Sequence, residues 1–109
     1  MRSGFSAEIE RKVSIVIASH NRVELTTNCI KSILNSSPTN LSIDFVLIDD
    51  GSTDGTANAI RDLTKNLVVI LGDGTWFWSK SMSIGMGNVN KDADGIILIN
   101  DDVELFPDA

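Results

Sequence analysis

The sequence lacks the features that would place it outside the cell, across a membrane or on nucleic acid. It holds one cysteine, Cys29. No intrachain disulfide can form, and nothing points to an oxidising compartment. Cys29 falls among apolar residues of a predicted helix, where a small buried hydrophobe is its expected role. No apolar run approaches the roughly 20 residues that span a bilayer. Residues 1–12 are polar and mixed in charge, without the apolar centre of a signal peptide. Cations are few: nine Lys and Arg stand against 15 Asp and Glu, a formal net charge of -6. Such a surface repels phosphate backbones, so no nucleic-acid partner is expected. A small anionic ligand stays compatible where a metal or a helix N-terminus supplies local positive charge. There is no repeat, low-complexity segment or clear linker. Gly72-Asp73-Gly74 lacks the G-x-G-x-x-G spacing of a dinucleotide fingerprint. The expected address is the cytoplasm.

What is present suits one small globular domain. The chain has 109 residues, 42% apolar and 22% charged, a balance that argues against disorder. Residues 1–12 read as a flexible lead-in, and residues 13–109 as the domain. Val13 to Ala18 is a short, β-branched, nearly uninterrupted apolar run, the mark of a strand buried on both faces. Ile43 to Ile48, Leu67 to Leu71 and Gly95 to Ile99 repeat the pattern.

Three helices alternate with these strands. In the first, Leu25, Cys29, Ile30, Ile33 and Leu34 form one face, Asn21 is the expected cap with Glu24 as its reciprocal partner, and Asn35 to Pro38 end it. The second has Ser52 or Asp54 as cap and Thr56, Ile60 and Leu63 inside. The third spans Ser79 to Met86, with Met82, Gly85, Met86 and Val89 on one side. The expected fold is α/β: a Rossmann-like parallel sheet of four strands flanked by three helices, with right-handed crossovers.

Ligands of open α/β sheets bind at the carboxyl ends of strands. Every polar cluster falls there: His20-Asn21-Arg22, Asp49-Asp50-Gly51-Ser52, Gly72-Asp73-Gly74 and Asn100-Asp101-Asp102. Bringing Asp49, Asp50, Asp101 and Asp102 together is costly without a cation. Hard oxygen ligands suit Mg²⁺ or Mn²⁺, with a phosphate completing the shell. A metal–diphosphate site is therefore expected, against the plainer reading of each aspartate as a cap or solvated turn. A receiver-like signalling module also uses acidic residues with Mg²⁺, but places its pair after the first strand and its phospho-accepting Asp after the third.

The stretches VSIVIASHNR (13–22), FVLIDDGSTDGT (45–56) and ILINDDVEL (97–105) resemble the N-terminal half of family 2 glycosyltransferases with the GT-A fold. The resemblance runs from about Val13 to Leu105. The segment LGDGTWFWSKSMSIGM (71–86) is similar to the subgroup that builds bacterial surface polysaccharides, rhamnosyltransferase-like members included. The resemblance implies a nucleotide-diphosphate sugar donor and inverting transfer to a glycan or lipid-linked acceptor. Ala18, Ser19 and Asn21 would touch the nucleoside. Asp49 or Asp50, followed by Gly51, would accept the pyrimidine imide N–H, favouring UDP or dTDP. Asp102 would hold the divalent metal. Asp101 would assist or contact ribose or sugar. Asn100 stands where the family's Asp-X-Asp motif opens with Asp, and a neutral amide is a weaker ligand.

In this family the catalytic base lies later in the sequence; Glu104 and Asp108 do not match its context, so the base is expected beyond Ala109, with the acceptor-binding half. A binding fragment without transferase activity is the alternative. Membrane-surface association would come through regions outside this sequence, at the inner face of the membrane.

Other residues carry two readings each. Trp76, Phe77 and Trp78 suit core packing or a wall that stacks on a sugar ring. Lys80 and Arg22 suit a phosphate or the solvent, and Asp73 the donor or a turn. His20, the only histidine, suits a loop hydrogen bond better than catalysis. With the sheet and acceptor lobe read as unfinished, an exposed apolar edge is expected to drive self-association. Light scattering should return a dimer or larger species; a purely monomeric profile counts against this.

Overall fold

A computed structural model describes residues 11–36 and 40–103. Their elements run β1 (Arg11–Ser19), α1 (Val23–Ser36), β2 (Leu41–Asp50), α2 (Thr56–Arg61), β3 (Leu67–Gly72), α3 (Phe77–Met86) and β4 (Gly95–Asn100). The strands form one parallel sheet in the order β3-β2-β1-β4. This is the expected α/β, Rossmann-like architecture. The order differs from the 2-1-3-4-5 of receiver-type folds.

Strand alternation splits the core in two. Ile15 and Ile17 of β1 and Phe45 and Leu47 of β2 point to one side, against Cys29, Ile30 and Ile33 of α1 and Ile60 of α2. Val16, Val46 and Ile48 point to the other, against Met82 of α3. The sheet thus lies between α1 and α2 on one face and α3 on the other. The chain passes from β3 across β2 and β1 to reach β4, so helices lie on opposite faces beside the β1–β4 junction. That junction is the topological switch point, where such sheets open a crevice.

α3 approaches the sheet closely because Gly85 has no side chain. A Cβ built there would overlap Val16 Cγ1 and stand 3.4 Å from Ile48 Cδ1.

Several boundaries and faces differ from expectation. β1 begins at Arg11 rather than Val13: the Arg11 N–H donates to the Asn40 carbonyl and the Asp94 N–H to that of Lys12, at 3.1 and 2.6 Å. Asn21 does not cap α1. It is left-handed, with φ 51°, and the Val23 N–H instead donates to the Asp54 carboxylate at 3.1 Å. Asp54 also accepts from the Thr56 N–H at 3.2 Å, so one side chain serves two helix starts. Hydrogen bonding from the Thr56 hydroxyl, then from backbone amides, holds its carboxyl below the usual range. Leu25, Leu34 and Met86 are exposed, not inward; Thr26, Ser32 and Ser81 take the buried positions. Ser37 and Pro38, expected in the helix end, lie outside the described residues, as do Met1 to Glu10 of the lead-in. The four strands are not alike in burial. β1 and β2 are central and buried; on the edge strand β4, the successive residues Ile96, Ile97 and Leu98 are all exposed.

Gly85→Ala should destabilise the fold by about 1 kcal/mol, since overpacking costs about 1–3 kcal/mol and helix propensity returns up to about 1. In the Val16→Ala background the same change should cost less. Urea unfolding of the two single variants and the double variant checks this; strictly additive effects would remove the packing explanation.

Candidate functional site

A cavity of about 370 Å³ opens at the carboxyl ends of β1, β2 and β4. Ala18 and Ser19 end β1 and His20 and Arg22 follow it, Asp50 closes β2, and Asn100 closes β4 with Asp101 and Asp102 after it. Gly74 and three residues of α3, Phe77, Trp78 and Ser81, complete it. The volume lies near the low end of small-molecule sites.

The wall on the α3 side is organised by Asp50. This residue is buried, at 4% exposure. One carboxylate oxygen accepts the Gly74 N–H at 2.8 Å, the other the Phe77 N–H at 2.9 Å. Its backbone carbonyl lies 2.5 Å from His20 Nδ1. Phe77 has φ 55°, a left-handed conformation that bulky residues seldom adopt and that costs about 1–3 kcal/mol. The bond to Asp50 holds it there, leaving Phe77 and Trp78 exposed at the cavity. Trp76 packs instead on the α3-side core. Lys80 Nζ stands 5.1 Å from the Trp76 ring centroid, a cation–π contact outside the cavity lining.

The Asp49-to-Asp54 run laces the loops after β1 and β2. Asp49 accepts the Ser52 N–H at 3.1 Å, and the Ser52 hydroxyl accepts the Asn21 N–H at 2.8 Å. The Thr53 N–H donates to Asn21 Oδ1 at 2.7 Å. Gly51, at φ 74°, passes so close to the next loop that a Cβ would stand 2.7 Å from Gly74 N. Asp49, Gly51 and Asn21 therefore shape the rim and do not line the cavity. Asp73 does not line it either; its carboxylate accepts the Thr75 N–H at 2.9 Å.

Across the cavity, Asp101 is buried and Asp102 exposed. Arg22 Nη1 stands 3.4 Å from Asp101 Oδ1. Burial pushes the Asp101 carboxyl above its usual range; Arg22 and the Ser19 hydroxyl oppose this, and Asp102 adds to it. Beneath, Cys29 Sγ lies 3.8 Å from the Asn100 carbonyl. Burial, then the charges of Asp101 and Asp102, push its thiol up to about 11.

The expected convergence of four carboxylates on one cation is corrected. β1 separates β2 from β4, so their ends stand about 10 Å apart at ordinary strand spacing. Asp49 and Asp50 face backbone amides. Among the described residues, no three His, Cys, Asp or Glu side chains form a metal-holding group. A hard divalent cation needs less: one or two protein oxygens with phosphate and water. The open Asp102 carboxylate and Asn100 amide, next to a buried carboxylate, fit that chemistry.

His20 forms the loop hydrogen bond its setting suggested. Gly74, Phe77 and Ser81 were not singled out as individual ligand contacts. Only the glycine turn and the aromatic run hinted at the first two, and nothing local marked Ser81.

The fold and the cleft define an α/β domain with a candidate ligand site at its switch point. The model of Glycosyl transferase family 2 matches residues 14–109, and the chain belongs to this family. No curated protein matches the sequence. Among solved structures it is similar to S. aureus TarS 1–349, with 18% identity and TM-score 0.76 over 89% of this chain and 29% of that one. It is also similar to the mannosyltransferase PcManGT from Pyrobaculum calidifontis in complex with GDP-Man and Mn²⁺, with 16% identity and TM-score 0.72 over 93% and 30%. The chain thus spans less than a third of the length of either, and both share its fold.

Asp50→Ala should cost about 2–4 kcal/mol, since it strands two buried N–H groups that a charged acceptor now satisfies. Asp50→Asn, which keeps one acceptor, should cost less. Denaturant unfolding with amide exchange at Gly74 and Phe77 measures this; unchanged protection at both amides would refute the anchoring role.

Proposed function

We propose that the cavity is the donor site of a glycosyltransferase, which takes a nucleotide-diphosphate sugar of the UDP or dTDP type with Mg²⁺ or Mn²⁺. The observation that carries this is the meeting of Ala18, Ser19, Arg22, Asp50, Asn100, Asp101 and Asp102 around one cleft at the switch point, in a chain of this family. The presence of GDP-Man and Mn²⁺ in a neighbour of the same fold supports a nucleotide-diphosphate sugar with a divalent ion, while the pyrimidine preference rests on Asp49 or Asp50.

Asp102 and Asn100 would hold the ion. When bound, it neutralises charge gathering on the departing diphosphate. Arg22, already at the cavity, would add a cation to a phosphate oxygen, and Asp101 would orient Arg22 and meet ribose or sugar. Asp50, both oxygens engaged, has lone pairs left for an imide N–H; Asp49 is the other candidate. Asn21, Gly51 and Asp73 would act by shaping the rim, and Lys80 from outside it. Phe77 and Trp78 would wall the cleft.

Transfer would invert the anomeric centre, by in-line attack of an acceptor hydroxyl that a carboxylate base deprotonates. That base, and the surface for a glycan or lipid-linked acceptor, would lie in sequence corresponding to the rest of the longer relatives. Surface polysaccharide synthesis by a rhamnosyltransferase-like enzyme, at the cytoplasmic face of the membrane, is the pathway setting. No described helix is long and apolar enough to cross a membrane. The β4 edge, where Ile96, Ile97 and Leu98 are exposed among the described residues, would be a contact between copies. A domain that binds the donor without transferring it is the second reading.

Calorimetric titration of UDP, dTDP, GDP and ADP, with and without Mn²⁺, tests the proposal. A pyrimidine diphosphate should bind in a metal-dependent way. Asp102→Ala should weaken it about tenfold or more, roughly 1.4 kcal/mol, without changing the circular dichroism. Equal binding with and without metal would reject the assigned role of Asp102.

A further inference from the structure

We infer that Ser81 is a nucleoside-contacting residue of this site, its hydroxyl bonding to a polar atom of the bound base or ribose; the inference rests on the donor-site reading above. Ser81 is completely buried, and its Oγ has no hydrogen-bond partner among the described residues. A serine inside a helix commonly bonds back to the carbonyl four residues earlier. Here that residue is Phe77, whose φ is 55°, and the bond is not made. Buried hydroxyls without partners are rare and costly in native proteins, so this one needs a reason.

Its position supplies the reason. Gly85 fixes one face of α3 on Val16 and Ile48. Four residues earlier, about 6 Å along the helix, Ser81 lies on that same face. α3 runs opposite to the strands, so this step leads towards their carboxyl ends. Two residues beyond Val16 on the same side of β1 is Ala18, and beyond Ile48 on β2 is Asp50. Ser81, Ala18 and Asp50 all line the cavity. Ser81 thus closes the floor on the β1–β2 side, and a turn about χ1 presents its hydroxyl to a ligand.

The two sides of the cavity differ in chemistry. Asn100, Asp101, Asp102 and Arg22 gather charge at the β4 side, the place for a metal and a diphosphate. The β1–β2 side offers Ala18, the aromatic turn at Phe77 and Trp78, the Ser81 hydroxyl, and the Asp50 carboxylate, whose two oxygens already accept backbone N–H groups. A flat, weakly polar group with hydrogen-bonding edges suits it: a nucleoside rather than a phosphate.

Ser81→Ala removes the hydroxyl and leaves the packing. Titrations with Mn²⁺ use UDP, 2′-deoxy-UDP and pyrophosphate, alongside thermal unfolding of the ligand-free protein. UDP should bind about three- to tenfold more weakly to the variant, the range of one hydrogen bond, with pyrophosphate binding unchanged. The ligand-free variant should unfold at the same or a higher temperature, because an unpaired group has been deleted. A loss seen with UDP but not with 2′-deoxy-UDP assigns the bond to the ribose 2′-hydroxyl; a loss with both assigns it elsewhere on the nucleoside. Equal UDP binding by variant and wild type overturns the inference and leaves the donor site standing. So does an equal loss on pyrophosphate, or a lower unfolding temperature, which would make the hydroxyl structural. Failure of the wild type to bind any nucleotide overturns the donor-site reading and this inference together.

Discussion

One carboxylate, that of Asp50, fixes the geometry on which the candidate site depends. It ends β2, receives the amides of Gly74 and Phe77, and offers its carbonyl to His20. Charge-assisted bonds to backbone amides are among the stronger hydrogen bonds, and burial strengthens them further. They offset the left-handed backbone at Phe77, which no local preference of phenylalanine would supply. Together with Trp76, which packs on the core, this anchor folds the turn after β3 over the strand ends. Much of the Asp-Asp-Gly-Ser-Thr-Asp run does similar work. Ser52, Thr53 and Asp54 spend their hydrogen bonds joining the loops after β1 and β2, and Asp49 fixes Ser52 within its own loop. A run that marks a ligand site in the sequence thus builds the frame of that site as well.

The second constraint is topological. Because β4 joins the sheet beside β1 and not beside β3, the acidic residues after β2 and β4 are held apart, with the β1 loop between them. Four carboxylates on one ion would require ends that the sheet keeps separate. The arrangement divides labour instead. The β2 acids organise backbone, and the β4 acids face the cleft with Arg22. For a protein of net charge -6, an anionic ligand gains little from the overall field. In the proposed donor site, attraction would come from Arg22 and a bound cation at short range.

The parts of the fold that depend on local pattern were legible in the sequence. The β-branched runs at Val13–Ala18 and Ile43–Ile48 marked the two central strands, and their register follows from neighbouring parallel pairing. Gly85 and Met82 marked the buried side of α3. What depends on distant partners was hidden. Arg11 and Lys12 read as the end of a flexible lead-in, yet Asn40 and Asp94 draw their backbone into the ladder. Asn21 has the composition of a cap, but Asp54, far along the chain, takes that role. Leu25 and Leu34 match a helical period and still lie outside the stripe that meets the sheet. The exposure of Ile96, Ile97 and Leu98 follows from strand order, which a hydrophobic run does not encode. Of the cavity, the residues at strand ends were foreseen by the rule that ligands bind there. Ser81 was not, since its importance rests on a partner it lacks.

The departure at Asn100 follows from the same electrostatics. Asp101 is buried beside Asp102, and burial already works against its charged form. A third carboxylate next to this pair would add like-charge repulsion in the protein without metal. The amide removes that repulsion and keeps an oxygen that can ligate. Its cost is a weaker hold on a hard cation, which prefers charged oxygens. In the proposed donor site that balance would move metal affinity away from the protein alone and towards the protein with a phosphate ligand, whose oxygens would complete the shell. Ion and diphosphate would then bind there as one unit, each supplying what the other lacks, at the edge where Arg22 stands.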